Sequence, residues 1–169
     1  MLPAMSGDLP ERLLEISELH GDFVLSSGTR SSVYFDKFRF LTDPQLLDEL
    51  AGVVASMIPA GVTHLASPEG AATLLLSAVA IRTGLPMAVV RKEPKAYGTQ
   101  AQVEGSAPAG ARVALIEDVS TTGHQTLNAA RALQENGAEI VLIVLTIDRG
   151  GASPLRDAGF EVAAVAALS

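Results

Sequence analysis

Cysteine and tryptophan are absent from this chain of 169 residues, lysine is limited to Lys37, Lys92 and Lys95, and aromatic residues make up 4% of it. Without cysteine there is no disulfide framework, no thiolate metal site and no cysteine nucleophile, and an intracellular, cytoplasmic setting is expected. Positive charge is scarce: 12 Lys and Arg against 19 Asp and Glu give a net charge of -7. That balance repels a nucleic-acid backbone and leaves room only for a small anion in a local basic pocket. Long apolar runs are missing too. The aliphatic stretch Ile140 to Leu145 stops after six residues, where a membrane-crossing helix needs roughly 20, and the N-terminus has neither the basic flank nor the apolar core of a signal peptide. With nucleic acid and membrane set aside, the expected partners are small molecules or a second copy of the chain. What is present, 48% apolar against 18% charged residues, is enough to bury the core of one domain spanning 1–169.

Asp8 followed by Pro10 and Glu11 has the spacing of a capped helix start, and Leu13, Leu14, Ile16 and Leu19 continue it at roughly helical intervals. From Phe23 to Phe35 short β-prone pieces flank Ser26-Ser27-Gly28-Thr29-Arg30, which predicts two strands joined by a polar turn. Asp43 and Pro44 repeat the cap signal ahead of an apolar stripe at Leu46, Leu47, Leu50, Val54 and Met57, a second helix running to about Ile58. Strands and helices then alternate. Strands are predicted at His64 to Ala66, Met87 to Arg91, Arg112 to Glu117, Glu139 to Ile147 and Glu161 to Leu168, with helices from Thr73 to Arg82 and from Thr126 to Asn136. Continuous apolar strands suit a parallel sheet covered on both faces, so the expected fold is α/β, a doubly wound, mainly parallel sheet with residues 1–40 as a small N-terminal hood. Lys92 to Gly110, rich in Gly and Pro, fits no packed element and is too long for an ordinary connection; it reads as a lid.

In open α/β sheets ligands bind beyond the carboxyl ends of the strands. There Glu117 and Asp118 close an apolar strand, and Val119-Ser120-Thr121-Thr122-Gly123 leads into a helix. Hydroxyls and backbone N–H groups at a helix N-terminus, tightened by a glycine, form a nest for phosphate, whereas two adjacent carboxylates repel one. A sugar phosphate reconciles them, its hydroxyls donating to the acids and its phosphate seated in the loop, with magnesium relieving the repulsion. Taken alone, the acid pair reads as no more than a strand end and a helix cap; the whole string is what points to a site. No Walker lysine and no G-x-G-x-x-G accompany it.

Val113 to Gly123 resembles the phosphoribosyl diphosphate (PRPP) signature of the type I phosphoribosyltransferases. Three further segments, Ser27-Gly28-Thr29-Arg30-Ser31 with Tyr34-Phe35-Asp36, Arg91 to Gly98, and Asp148-Arg149, occur in the order and spacing of the orotate phosphoribosyltransferase family, a similarity running from about Phe23 to the end. The resemblance implies that Glu117 and Asp118 hold the ribose hydroxyls and that Val119, Ser120, Thr121, Thr122, Gly123, His124 and Gln125 wrap the 5'-phosphate. It also implies that Arg91, Lys92 and Lys95 engage the diphosphate as the catalytic cations, Lys95 from a loop reaching into a neighbouring subunit. Glu69 falls in the diphosphate loop, Tyr97 on the basic loop, Thr121 and Arg149 at pyrimidine-contacting positions, and Tyr34 with Phe35 at the aromatic pair near the base. The implied activity is transfer of phosphoribosyl from PRPP to orotate in pyrimidine synthesis, by a homodimer, with Mg2+ carried mainly by PRPP. A phosphoribosyltransferase for another base and a non-catalytic PRPP-binding regulator are the alternatives. Four places depart from the family pattern. His124 and Gln125 replace a small residue and a hydroxyl, Ala71-Ala72 replaces Gly-Gly, Tyr97 stands for histidine, and Ser26 for a lysine that some members carry.

Overall fold

The computed structural model describes residues 8–24, 28–94 and 101–168. Asp8 caps the first helix, α1 (Leu9–Ser17), its carboxylate accepting the Glu11 N–H at 3.1 Å. The helix passes without a loop into β1 (Glu18–Val24), so Leu19, expected as helical, lies in a strand; at Glu18 the backbone is already extended. β1 pairs antiparallel with β2 (Arg30–Phe35), the hairpin expected from this stretch; its turn at 25–27 lies outside the described residues. A single turn of helix that periodicity is too short to reveal, α2 (Phe38–Leu41), follows. Asp43 then accepts the N–H groups of Gln45 and Leu46 and caps α3 (Pro44–Met57).

The remainder forms β3 (His64–Pro68), α4 (Ala72–Thr83), β4 (Met87–Val90), β5 (Val103–Gly105), β6 (Arg112–Ser120), α5 (His124–Glu135), β7 (Glu139–Asp148), α6 (Ala152–Asp157) and β8 (Val162–Ala167). The six-stranded sheet has the order β5-β4-β3-β6-β7-β8, all neighbours parallel except the edge pair β4–β5. That edge corrects the reading of Lys92 to Gly110 as a stretch without packed structure. Val103 pairs with Val90 and Gly105 with Ala88, so the end of the segment covers the sheet edge. The short helix α6, too, is invisible to an 11-residue periodicity.

Side-chain alternation along the strands divides the core in two. Ala114 and Ile116 of β6, with Leu65, Leu142 and Val144, pack under α1, α3 and α4. Val113 and Leu115, with Ile143 and Leu145, pack under Ala130 and Leu133 of α5 and Leu155 of α6. Helices therefore cover both faces, the doubly wound arrangement expected from the buried strands. After β3 the chain crosses to the α4 side, and after β6 to the α5 side. β3 and β6 are hydrogen-bonded neighbours, so this reversal opens a crevice beyond their carboxyl ends.

Candidate active site

β6 is longer than expected: pairing with β7 continues to Ser120 opposite Asp148, which places Glu117 and Asp118 inside the strand rather than at its end. As strand neighbours they face opposite sides of the sheet, and each is met by the element covering its side. Glu117 Oε2 accepts the hydroxyl of Thr126 on α5 at 3.0 Å, and its Oε1 accepts the Asp118 N–H at 3.1 Å. Asp118 faces the hood, where Lys37 Nζ lies 2.9 Å from both of its carboxylate oxygens; the Val119 N–H donates to Oδ1 at 2.6 Å. Both acids are almost fully enclosed, 4% and 1% exposed. Burial first, and then the neighbouring Asp118 carboxylate, raise Glu117 to about 7, against the opposing pull of Thr126, the Asp118 N–H and Lys37.

Beyond the acids the chain turns at Gly123 and starts α5 at His124, two residues earlier than its sequence pattern indicates, with the Leu127 N–H on the Gly123 carbonyl. Among the described residues, no protein acceptor meets the N–H groups of Thr121, Thr122 and Gly123. A cavity of about 200 Å³ opens here, lined by Lys37 and by Glu117 through Thr126. It joins a carboxylate pair to the N-terminus of a 12-residue helix, a combination suited to a ligand with hydroxyls at one end and an anion at the other. Across the crevice, a second cavity of about 260 Å³ shares His124 and Gln125 and is lined by Pro68, Arg91 and Lys92. On the hood side the Arg149 guanidinium stands 4.8 Å from the centre of the Phe35 ring.

Comparison with known proteins decides the family. The model for the phosphoribosyl transferase domain matches residues 41–163. An orotate phosphoribosyltransferase of Thermococcus gammatolerans is 41% identical over 145 residues, covering 83% of this chain and 77% of the relative. The crystal structure of the orotate phosphoribosyltransferase from Aeropyrum pernix superimposes with a TM-score of 0.80 at 34% identity, over 95% of this chain and 94% of that one. The enzyme from Mycobacterium tuberculosis, solved with PRPP, gives 0.79 at 25% identity over the same shares. The chain belongs to the orotate phosphoribosyltransferase family.

The structure gathers most of the residues that match this family's motifs. Val119, Ser120, Thr121, Thr122, Gly123, His124 and Gln125 line the acid-bearing cavity. Arg91 and Lys92 line its neighbour and are tied to the turn after β3, where Glu69 Oε1 accepts the Lys92 N–H at 2.9 Å and Arg91 Nη1 stands 3.9 Å from Oε2. Lys95 and Tyr97 lie outside the described residues. Tyr34 and Phe35 meet different neighbours: alternation in β2 turns Tyr34 to Phe23, with ring centres 5.5 Å apart, and Phe35 meets Arg149. Two of the departures have local reasons, while Ser26, like Tyr97, lies outside the described residues. Ala71 and Ala72 direct their methyl groups into the core, 9% and 2% exposed, and the Gln125 side-chain amide donates to the Glu69 carbonyl at 3.3 Å, tying the start of α5 to the turn after β3.

Three contributors escape sequence reasoning. Thr126, read only as a helix start, holds Glu117. Gly151 lies so close to the end of β6 that a Cβ there would overlap Ser120. Lys37 is the partner of Asp118; the scarcity of lysine, with Lys37 standing alone outside the Lys92–Lys95 segment, was the one available signal. Gly123 has φ +70, and an added Cβ would lie 2.7 Å from the Gly151 carbonyl oxygen. Gly123→Ala therefore combines left-handed strain with a backbone clash. It should cost about 2 kcal/mol or more, a fall of several degrees in Tm by calorimetry of the ligand-free protein; a Tm within about a degree of the wild type would contradict this.

Proposed function

We propose that the protein is an orotate phosphoribosyltransferase, joining orotate to the ribose 5-phosphate of PRPP with release of diphosphate, in pyrimidine synthesis. The observation that carries the reading is the cavity that Glu117 and Asp118 line together with an open helix N-terminus. Ribose hydroxyls donate to the acids, and the 5'-phosphate accepts from the N–H groups of Thr121, Thr122 and Gly123 and the hydroxyls of that loop. Phe35 and Arg149 stand beside this cavity. The ring offers an apolar wall for a pyrimidine, and the guanidinium a bidentate partner for a carboxylate.

Breaking the anomeric carbon–oxygen bond leaves positive charge on the sugar and sends negative charge into the diphosphate, so cations matter here more than a base. Arg91 and Lys92 are positioned to meet that charge, with Lys95 the third cation the family resemblance assigns. Among the described residues, no cluster of three or more His, Asp or Glu is arranged to hold a metal, and Lys37 already covers Asp118. The donor set thus fits magnesium only as an ion carried by the substrate's own oxygens, which is how Mg2+ commonly binds at phosphate sites. When bound, it would screen the diphosphate charge.

The same reading treats residues 1–169 as one cytoplasmic domain with a hood at 1–40. Its support is that Leu13 and Ile16 of α1 share a core with Leu65 and Ile116 of the sheet. Among the described residues, no helix is long and apolar enough to cross a membrane. The homodimer belongs to the proposal as well, on the family likeness alone.

Incubation with orotate, PRPP and Mg2+, followed by the loss of orotate absorbance, tests the assignment. Turnover of adenine or xanthine in place of orotate would replace the base, and PRPP binding without any turnover would replace the enzyme by a sensor. Lys95→Ala is expected to lower kcat by about 10²-fold or more while changing the Kd for PRPP only a few-fold, since its charge is needed most on the leaving group. Rapid-quench turnover beside equilibrium titration separates the two; equal losses in both would remove the transition-state role.

A further inference from the structure

We propose that Lys37 is a substrate-binding residue of the sugar-phosphate cavity, holding Asp118 in the empty enzyme and exchanging it for anionic oxygens of PRPP when the ribose hydroxyls take its place. The inference rests on the functional reading above and adds to it a residue that the motif did not mark.

The lining of the cavity sets the problem. Its ionisable side chains among the described residues are Glu117, Asp118, His124 and Lys37, so Lys37 is the sole Lys or Arg there. A polyanionic sugar phosphate entering beside two buried acids needs a cation close by, and this one already lines the space. A carboxylate offers about four lone-pair sites. On Asp118 both the ammonium and the Val119 N–H donate to Oδ1, and the same ammonium stands 2.9 Å from Oδ2, which accepts no hydrogen bond from the described residues. Hydroxyls that donate to Asp118 therefore approach the carboxylate edge that Lys37 already covers.

The two partners differ in freedom. Asp118 is fixed in β6 with a side chain 1% exposed, whereas the Lys37 side chain is 37% exposed and projects on a flexible four-carbon stem from the start of α2. Lysine is the member able to leave. The exchange leaves both groups partnered: hydroxyl donors replace the ammonium on Asp118, and the ammonium moves to anionic substrate oxygens that arrive with the hydroxyls. No proton transfer is required. It also gives the hood a role in sugar recognition, because Lys37 lies two residues past Phe35, the last residue of β2.

The test uses the full chain with PRPP and Mg2+. Lys37→Met is expected to weaken PRPP binding by about ten- to a hundredfold, the loss of a charge-assisted contact. It should raise the KM for PRPP while leaving the KM for orotate within about twofold, and Lys37→Arg should recover most of the affinity. If Lys37→Met does not fold, the wild type crystallised with ribose 5-phosphate decides. The inference requires Nζ to stand on a substrate oxygen and away from Asp118; Nζ still paired with Asp118 in that complex overturns it. Wild-type binding of PRPP together with unchanged affinity in Lys37→Met overturns this inference alone, whereas a wild type that binds no PRPP overturns the functional reading beneath it.

Discussion

Asp118→Asn should reduce kcat/KM for PRPP by about a hundredfold while leaving the protein folded. The amide keeps an oxygen for the Val119 N–H but loses the negative charge that ribose hydroxyls would donate to. Hydrogen bonds to a charged group contribute roughly 1.5–3 kcal/mol, and each 1.4 kcal/mol is tenfold in affinity. Stability responds differently, because the bridge is unequal. Removing the carboxylate releases Lys37, whose side chain is 37% exposed and is solvated at little cost. Removing the lysine strands a carboxylate that is 1% exposed, a loss of up to about 3 kcal/mol for a pair of this kind. In calorimetry without ligand, Lys37→Met should therefore melt well below Asp118→Asn, although both impair PRPP binding. Normal PRPP kinetics in Asp118→Asn would remove the acid pair from the sugar site and with it the reason for reading the cavity as a phosphoribosyl site.

Legibility in the sequence followed the range of the forces involved. The central strands and their two-sided burial could be read because a strand buried on both faces must be apolar throughout, as Val113 to Ile116 and Ile140 to Leu145 are. The capped starts at Asp8 and Asp43 were readable because a cap is a local contact, here spanning two or three residues. The short helices Phe38–Leu41 and Ala152–Asp157 carry too few turns to leave a periodic trace. β5 exists only because β4 offers it an edge, a tertiary fact that its own residues do not declare. The same division runs through the site. Glu117 to Gln125 lie on one continuous segment and were recognisable together, whereas Lys37 meets Asp118 across 81 positions. The opposed orientation of Glu117 and Asp118 follows from strand alternation, but only once β6 is known to extend beyond them to Ser120.

Between pH 5 and pH 8 the empty protein should lose stability through Glu117, and Glu117→Gln should abolish that loss. Burial and the Asp118 carboxylate raise the folded-state value to about 7 from 4.5. Across that interval the folded chain holds the proton more tightly than the unfolded chain, so the stability of the fold falls as pH rises. The contribution is complete below about 4.5 and is gone once pH passes about 7. At 1.36 kcal/mol per pH unit it amounts to about 3 kcal/mol. Glutamine can still accept the Thr126 hydroxyl but cannot ionise, so its stability carries no such slope. Urea denaturation at several pH values, compared between variant and wild type, cancels the contributions of all other titrating groups. The variant should gain on the wild type by about 3 kcal/mol from pH 5 to pH 8, with an unchanged m-value. Parallel curves would mean that Glu117 is already ionised at pH 5 in the folded chain, and that Lys37 compensates both acids rather than Asp118 alone. A ligand whose hydroxyls donate to the Glu117 carboxylate favours its ionised form. Saturating ribose 5-phosphate should therefore flatten the wild-type slope, and its binding near pH 6 should release part of a proton, measurable by calorimetry in buffers of different ionisation enthalpy.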